Sequence, residues 1–549
     1  MKNDPMKKFD IVIRNGRIVD GTGNPWFQAD IGIRDGKIST IRHLKGVEAT
    51  QEIDARGLVV CPGFIDTHSH SDSTVLFDNR LESTIRQGIT TSVVGNCGES
   101  LAPAPPEKTQ EFLRFFSMLA PPGVTIDSIP WSTFREYLDH AEERGCAANV
   151  AHLVGFGAIR IAGGPGFEDH PATFQELERM KSFVVEAMEA GAFGMSTGLI
   201  YAPQVFAGTE EIIELASVVG SYRGLYASHI RGEGETVVPA VKECIEIVEK
   251  SGCPGGQISH HKVAGPPYWG ASKETLRLIE EANARGINVT CDQYPYDRGM
   301  TSLTAVLPPW AHQGGYDRLL ERLKDSETRS RIKRDITRGI EGWENWIKDG
   351  GFERIYLSCA KTKEWQDMEG KNLTEITQIK GKADAWETLF DILLDEKAEV
   401  SITADMMSQE DIIRIMTGRY TMVGTDASGV APTGVLGYGK PHPRYYGTYP
   451  RILGKYVREE GLLTLEDAIR RMTSFPAQRV GLADRGLLKQ GMWADVVVFD
   501  PDTVTDRATF LEPHRFPDGI IHVLVNGEIV VKDNTQTEKL PGRVLRRPT

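Results

Sequence analysis

Six side chains of this sequence have types and positions that could do metal chemistry. His68-Ser69-His70 closes an apolar run, Pro62 to Asp66, that reads as a buried strand. Residues two apart in a strand face the same way, so the two imidazoles project together from its end. A second apolar run, Thr90 to Val94, leads into Gly95-Asn96-Cys97-Gly98. Further on, His229 ends Leu225 to His229, His260 lies in Gln257 to His261, and Asp426 ends Thr421 to Asp426. Imidazole nitrogen, thiolate sulfur and carboxylate oxygen are the donors zinc prefers, and a catalytic zinc keeps one position for water. Such water has its pKa lowered towards about 7, which supplies hydroxide at neutral pH. A nearby aspartate can take the proton and return it to a leaving group. Taken singly, each histidine reads as readily as a satisfied core residue. Four of the 13 histidines at predicted strand ends, with Cys97 and Asp426, read as a site. His260 and His261 are adjacent and point to opposite faces of a regular strand, so one of them at most is a ligand, and periodicity leaves open which.

The elements that would position these residues alternate strand and helix. Strands are expected at 148–154, 194–197, 225–229, 257–261, 287–292 and 421–426. Helices are expected at 134–145, 171–190, 210–222, 237–251, 272–285 and 465–472, with Gly191, Gly252 and Gly286 as C-caps. This rhythm predicts an α/β chain with a (β/α)8 TIM-type barrel over residues 62–480. Both termini are instead rich in short strands. Asn15-Gly16, Asp35-Gly36 and Asn526-Gly527 each lie between such runs and predict hairpins. We therefore expect a small β-sandwich module built from residues 1–61 and 481–549. The rhythm breaks from about residue 310 to 399, where a charged segment, Tyr316 to Trp346, predicts a helical insertion around 310–350 over the barrel mouth. The Gly-rich stretch 427–439 reads as a lid.

Composition excludes several function classes. The net charge of −13 argues against nucleic-acid binding, which needs a basic footprint. No apolar run is long enough for a membrane span, and the N-terminus lacks the apolar core of a signal peptide. With no export signal, the seven scattered cysteines are expected to be reduced thiols of a cytoplasmic protein. The oligomeric state stays open.

The stretches HSHSD, GNCGES, SHIRGE, SHHKVAG and DQYPY resemble the N-acyl-D-amino-acid deacylase (D-aminoacylase) branch of the amidohydrolase superfamily. So do the late GTD with HPRYYGTYPRILGKYVRE and the opening DGTGNPWFQADIGIRDGKI, and the likeness covers almost the whole chain. It implies a zinc enzyme that cleaves the amide of an N-acyl-D-amino acid, with that small molecule as its partner. It implies that Cys97, His229 and His260 hold a tightly bound zinc. His68 and His70 would form a second metal position, with Cys97 able to bridge. Asp426 would be the general base and then the general acid. Lys262 and Tyr294 look like residues that hold the substrate carboxylate, and Tyr201 matches a pocket position. Arg444 matches an arginine that contacts acidic side chains in some members. The chain departs from the branch at Met300, where a serine usually touches the carboxylate; Arg298 and Thr301 are the polar side chains that could stand in. Rival readings are a cyclic-amide hydrolase of the hydantoinase or dihydroorotase type, a peptidase acting on D-residues, and, remotely, a barrel scaffold without chemistry.

Overall fold

A computed structural model describes residues 8–120, 126 and 128–548. The first seven residues, part of the N-terminus expected to lack a signal peptide, lie outside the described residues. The chain is a mixed α/β fold.

Both ends of the chain meet in one sheet. Among the described residues its nine strands run in the order Thr535–Gln536, Glu528–Lys532, Ile520–Val525, Val496–Phe499, Val59–Pro62, Phe9–Ile18, Phe27–Arg34, Lys37–Arg42, with Ala49–Asp54 also on Phe9–Ile18. Alternation gives this sheet two apolar faces. Ile11, Ile13, Val60, Val496 and Val498 join one core, while Val59, Cys61, Val497 and Phe499 join a second core with Phe64, Tyr449 and Met472. The second face thus ties the terminal sheet to the strands that carry the site. Two of the three expected turns are hairpins: Asp35-Gly36 and Asn526-Gly527 both have positive φ at both residues, as a tight two-residue turn requires. The third is not. Phe9–Ile18 runs straight through Asn15-Gly16, which forms a bulge opposite Phe27–Arg34. The backbone N–H of Asn15 donates to Asp30 (2.8 Å) and its side-chain amide donates to Asp54 (2.9 Å), so tertiary partners hold the left-handed residue inside a strand.

The alternating region forms parallel strands. Phe64–Asp66, Ile89–Val94 and Asn149–His152 pair in that order. Val154–Gly155, Gly194–Gly198, Leu225–His229, Gly256–Ile258, Val289–Gln293 and Thr421–Val423 follow side by side, also parallel. The first and last of these touch beyond their ends: the Asp426 N–H donates to the His68 carbonyl (2.8 Å) and the His70 N–H to that of Ala427 (3.0 Å). Every residue of Gly194–Gly198, Leu225–His229 and Val289–Gln293 is buried, as parallel strands covered on both faces should be. Helices Phe134–Arg144 and Phe174–Ala190 start on capping boxes at Thr133/Glu136 and Thr173/Glu176. The latter and Val237–Ser251 end on left-handed Gly191 and Gly252.

The break in rhythm is larger than its helices. Strands Arg298–Ser302, Ser401–Asp405 and Ile355–Cys359 form an antiparallel sheet with Ser401–Asp405 in the middle. Around it stand Tyr316–Lys324, Ser326–Arg338, Trp346–Gly350, Leu373–Lys380 and Ala385–Asp395. The charged segment is two helices, because Asp325 leaves helical geometry and caps the second by accepting the Thr328 N–H. Leu319, Leu323, Ile332, Ile336, Leu357, Leu389 and Phe390 give this unit a core of its own. The Gly-rich stretch 427–439 does not stand free: Val430, Ala431 and Leu436 pack with Tyr446 and Ala508, and the Val430 N–H donates to Ser83 Oγ (2.9 Å).

Candidate functional site

The site is assembled where the parallel strands end. Cys97 lies just past Ile89–Val94 in a tight turn at φ 52°. The Gln204 side-chain amide donates to its carbonyl (2.9 Å), and Gly198 lies so close that an added Cβ would stand 2.2 Å from that oxygen. The Cys97 Sγ is 3.4 Å from His68 Nε2, 3.5 Å from His260 Nε2 and 3.9 Å from His229 Nδ1. Sulfur at about 2.3 Å and nitrogen at about 2.1 Å from one tetrahedral zinc stand roughly 3.6 Å apart. The donor set therefore fits that ion in both element and spacing. Among the described residues, three sets of ligand-type atoms lie within 4.8 Å of one another: Cys97 with His229 and His260, Cys97 with His68 and His70, and His68 with His260 and Asp426. The first set is wholly buried, while His70 is 22% exposed.

The choice between His260 and His261 rests on a turn. The strand expected at 257–261 ends at Ile258, and His260 has φ 35°, so a strand period no longer governs the pair. His261 turns away to Thr275 Oγ1 (2.8 Å). The His260 N–H donates to Asp292 Oδ2 (3.0 Å), which also stands 3.7 Å from His68 Nδ1. Asp66 ties first strand to last by accepting the backbone N–H groups of Thr425 (2.9 Å) and His68 (3.2 Å). Burial pushes its carboxyl up to about 7 against the bonds from Thr425.

Asp426 stands at φ 51° beside these donor atoms. Its Oδ1 is 3.3 Å from His70 Nε2 and 3.5 Å from His68 Nε2, while Oδ2 pairs with Arg444 Nη1 at 2.9 Å. Burial alone would raise this carboxyl, but the Arg444 charge and the hydrogen bond to His70 hold it well below the ordinary range. Burial holds His229 and His260 well below the usual imidazole value, so both are neutral. Burial pushes the Cys97 thiol well up, and the charges of Asp426 and Glu99 add to this.

A cavity of about 210 Å³ opens over these groups. Tyr201, Lys262, Tyr294 and Arg444 all line it. The Lys262 ammonium lies over the Tyr294 ring (5.8 Å), as does the Arg444 guanidinium (4.5 Å). The Tyr294 hydroxyl is buried and has no hydrogen-bond partner. Tyr201 stands edge-on to His229 (ring centres 5.0 Å apart) and accepts a hydrogen bond from Thr301 Oγ1 (3.1 Å). Of the two polar neighbours of Met300, Thr301 lines the cavity. Arg298 does not: it is bonded to Asp405 (2.6 Å) and held between Tyr356 and Phe510. The inserted unit contributes Leu307, Tyr316 and Lys361 to the far wall.

Residues 51–344 and 420–531 match the amidohydrolase family. The chain belongs to that family. This amidohydrolase is 37% identical to a D-aminoacylase of Alcaligenes xylosoxydans xylosoxydans, over 100% of this chain and 99% of the relative. It is 36% identical to an N-acyl-D-glutamate deacylase of the same organism, over 98% and 97%. Among solved structures it resembles the N-acyl-D-glutamate deacylase of Bordetella bronchiseptica, crystallised with zinc and a phosphonate mimic of the tetrahedral intermediate. That likeness has a TM-score of 0.81 at 35% identity and covers 98% of this chain and 100% of the other.

Reading the sequence for strand ends missed three carboxylates that touch the histidines of this amidohydrolase: Asp66, Asp292 and Glu233. Each sits in a stretch already quoted for other residues, since Asp66 precedes HSHSD, Glu233 ends SHIRGE and Asp292 opens DQYPY. An acidic residue beside a ligand stretch is the signal that was there to use.

Proposed function

We propose that this chain is a zinc-dependent amidohydrolase that cleaves the amide of N-acyl-D-amino acids to a carboxylate and a free D-amino acid. The observation that carries this is the buried thiol with three histidine nitrogens at 3.4 to 3.9 Å, set beside an ionised aspartate in a cavity lined by Lys262 and Arg444. Full-length relatives named for D-aminoacyl substrates support it. Cys97, His229 and His260 would hold the zinc, with His68 and His70 offering a second position. Zinc bound there supplies a Lewis acid that polarises the acyl carbonyl and lowers the pKa of water to about 7.

The chain's own residues do the rest. Asp426 keeps Oδ2 on Arg444, which leaves Oδ1 to take a proton from the attacking water. The same oxygen then returns the proton to the leaving nitrogen. Its low pKa keeps it ionised and able to act as a base. Lys262 and the Tyr294 hydroxyl offer the substrate carboxylate a charge and a donor, Thr301 adds a hydroxyl where Met300 has none, and Arg444 is placed to meet an acidic substrate side chain. The Tyr201 hydroxyl is a donor for oxygen charge that develops on the acyl carbon. We read the parallel strands, closed by the contacts between His68–His70 and Asp426–Ala427, as a (β/α)8 barrel over 62–480. The terminal sheet is read as a β-sandwich module of 1–61 and 481–549. All seven cysteines are free, which supports a reducing cytoplasmic setting. Among the described residues no helix is long and apolar enough to cross a membrane.

The test is Asp426→Asn. Turnover should fall by roughly 10³-fold or more while zinc content is kept, because general acid and base transfer each contribute about 10²–10⁴-fold. Full activity in this variant would refute the assignment.

A further inference from the structure

Glu233 is buried, 2% exposed, in the turn after strand Leu225–His229. Its Oε1 is 3.1 Å from His260 Nδ1, and its Oε2 is 3.8 Å from His229 Nε2. These are the ring nitrogens turned away from Cys97, since His260 faces the thiol with Nε2 and His229 with Nδ1. The His229 Nε2 has no other partner, and less than about 1 Å of movement brings it to hydrogen-bond length. The same Oε1 accepts from Lys262 Nζ at 2.6 Å. From the inserted unit, Glu344 Oε2 accepts the Glu233 backbone N–H (2.9 Å) and so fixes where the carboxylate starts.

We infer that Glu233 is a positioning residue that sets the tautomers of both His229 and His260 and, through His260, links the metal position to the carboxylate-binding Lys262. A neutral imidazole carries one N–H. A carboxylate at the outer nitrogen keeps the proton there and leaves the inner lone pair for a cation. His260 makes the link sharper. Lys262 Nζ stands 2.7 Å from His260 Nδ1, and it can donate there only when that nitrogen has no proton. The proton is then on Nε2, the atom that faces Cys97. With a cation on Nε2 the proton moves to Nδ1, and that N–H donates to Glu233 Oε1. Lys262 then leaves His260, stays on Glu233 Oε1, and turns its remaining protons to the cavity. Filling the metal position and readying the substrate cation are thus one rearrangement around Glu233, and coupling of this kind is reciprocal.

This rests on the reading of Cys97, His229 and His260 as zinc ligands. The experiment measures zinc affinity by competition with a chromophoric chelator, and the visible spectrum of the cobalt-substituted protein, for wild type, E233Q, E233A and E233D. E233Q and E233A should lose zinc affinity roughly 10- to 100-fold and shift the cobalt bands, with E233D recovering part of the loss. KM for an N-acetyl-D-amino acid should rise by a larger factor than kcat falls. Zinc affinity within twofold of wild type with an unchanged cobalt spectrum would overturn the inference. Where E233A does not fold, E344Q, which loosens only the backbone hold on Glu233, should weaken zinc in the same direction by a smaller factor, and an unchanged affinity there overturns it too. A wild type that binds no zinc removes the underlying reading. A wild type and E233Q that bind zinc equally well remove only this one.

Discussion

Removing the thiol should change both how tightly zinc binds and how many protons leave when it does. Zinc takes thiolate, not thiol. Burial, with Asp426 and Glu99 behind it, pushes the Cys97 thiol well above its ordinary value, so at pH 8 the metal-free site holds a protonated sulfur. His229 and His260 are already neutral and release nothing. Zinc binding should therefore release about one proton, and apparent affinity should rise about tenfold per pH unit below the thiol pKa, because the ion binds only the deprotonated form. Structural four-ligand zinc sites are worth about 10–16 kcal/mol at pH 7, or about 2.5–4 kcal/mol per ligand. At about 1.4 kcal/mol per tenfold, Cys97→Ala should weaken zinc roughly 10²–10³-fold. Calorimetric titration with zinc at pH 8, in two buffers of different ionisation enthalpy, gives both numbers. Proton release near zero in the wild type, or undiminished in Cys97→Ala, would refute the reasoning.

Two further substitutions probe the surroundings of the thiol. Gly198→Ala would set a Cβ 2.2 Å from the Cys97 carbonyl oxygen, a clash with backbone that cannot turn aside. At a strain of about 1–3 kcal/mol the protein should still fold by circular dichroism but bind zinc measurably less tightly. Tyr201→Phe removes the hydroxyl beside His229 while keeping the ring; steady-state kinetics should show kcat down by roughly 10²–10³-fold with KM little changed.

The six groups that converge, His68, His70, Cys97, His229, His260 and Asp426, were legible because each follows a short apolar strand, and parallel strands deliver their ends to one place. What failed to show was set by contacts distant in sequence. Asn15-Gly16 has a hairpin's local chemistry, yet Asp30 and Asp54 satisfy it inside a strand. The strand Arg298–Ser302 reads Arg-Gly-Met-Thr-Ser, without the apolar alternation that marks a strand, and it exists because Ser401–Asp405 pairs with it from 100 residues away. His260 could not be separated from His261 by period, since the strand stops before both and only Thr275 claims the second. Glu233 gave no periodic signal: its role lies in reaching two histidines that stand 31 residues apart in the chain. Nor does spacing show that Arg444 holds Asp426, because they meet across a loop whose apolar residues fold it down.

The central claim is amide hydrolysis with D-selectivity at a zinc site. Its most direct test is amine release from paired N-acetyl-D- and N-acetyl-L-amino acids by the zinc-loaded protein, with a hydantoin and dihydroorotate alongside. Turnover of D-substrates that is abolished by chelation and restored by zinc is the predicted result. Turnover confined to the L-substrates or to the cyclic amides would contradict the account.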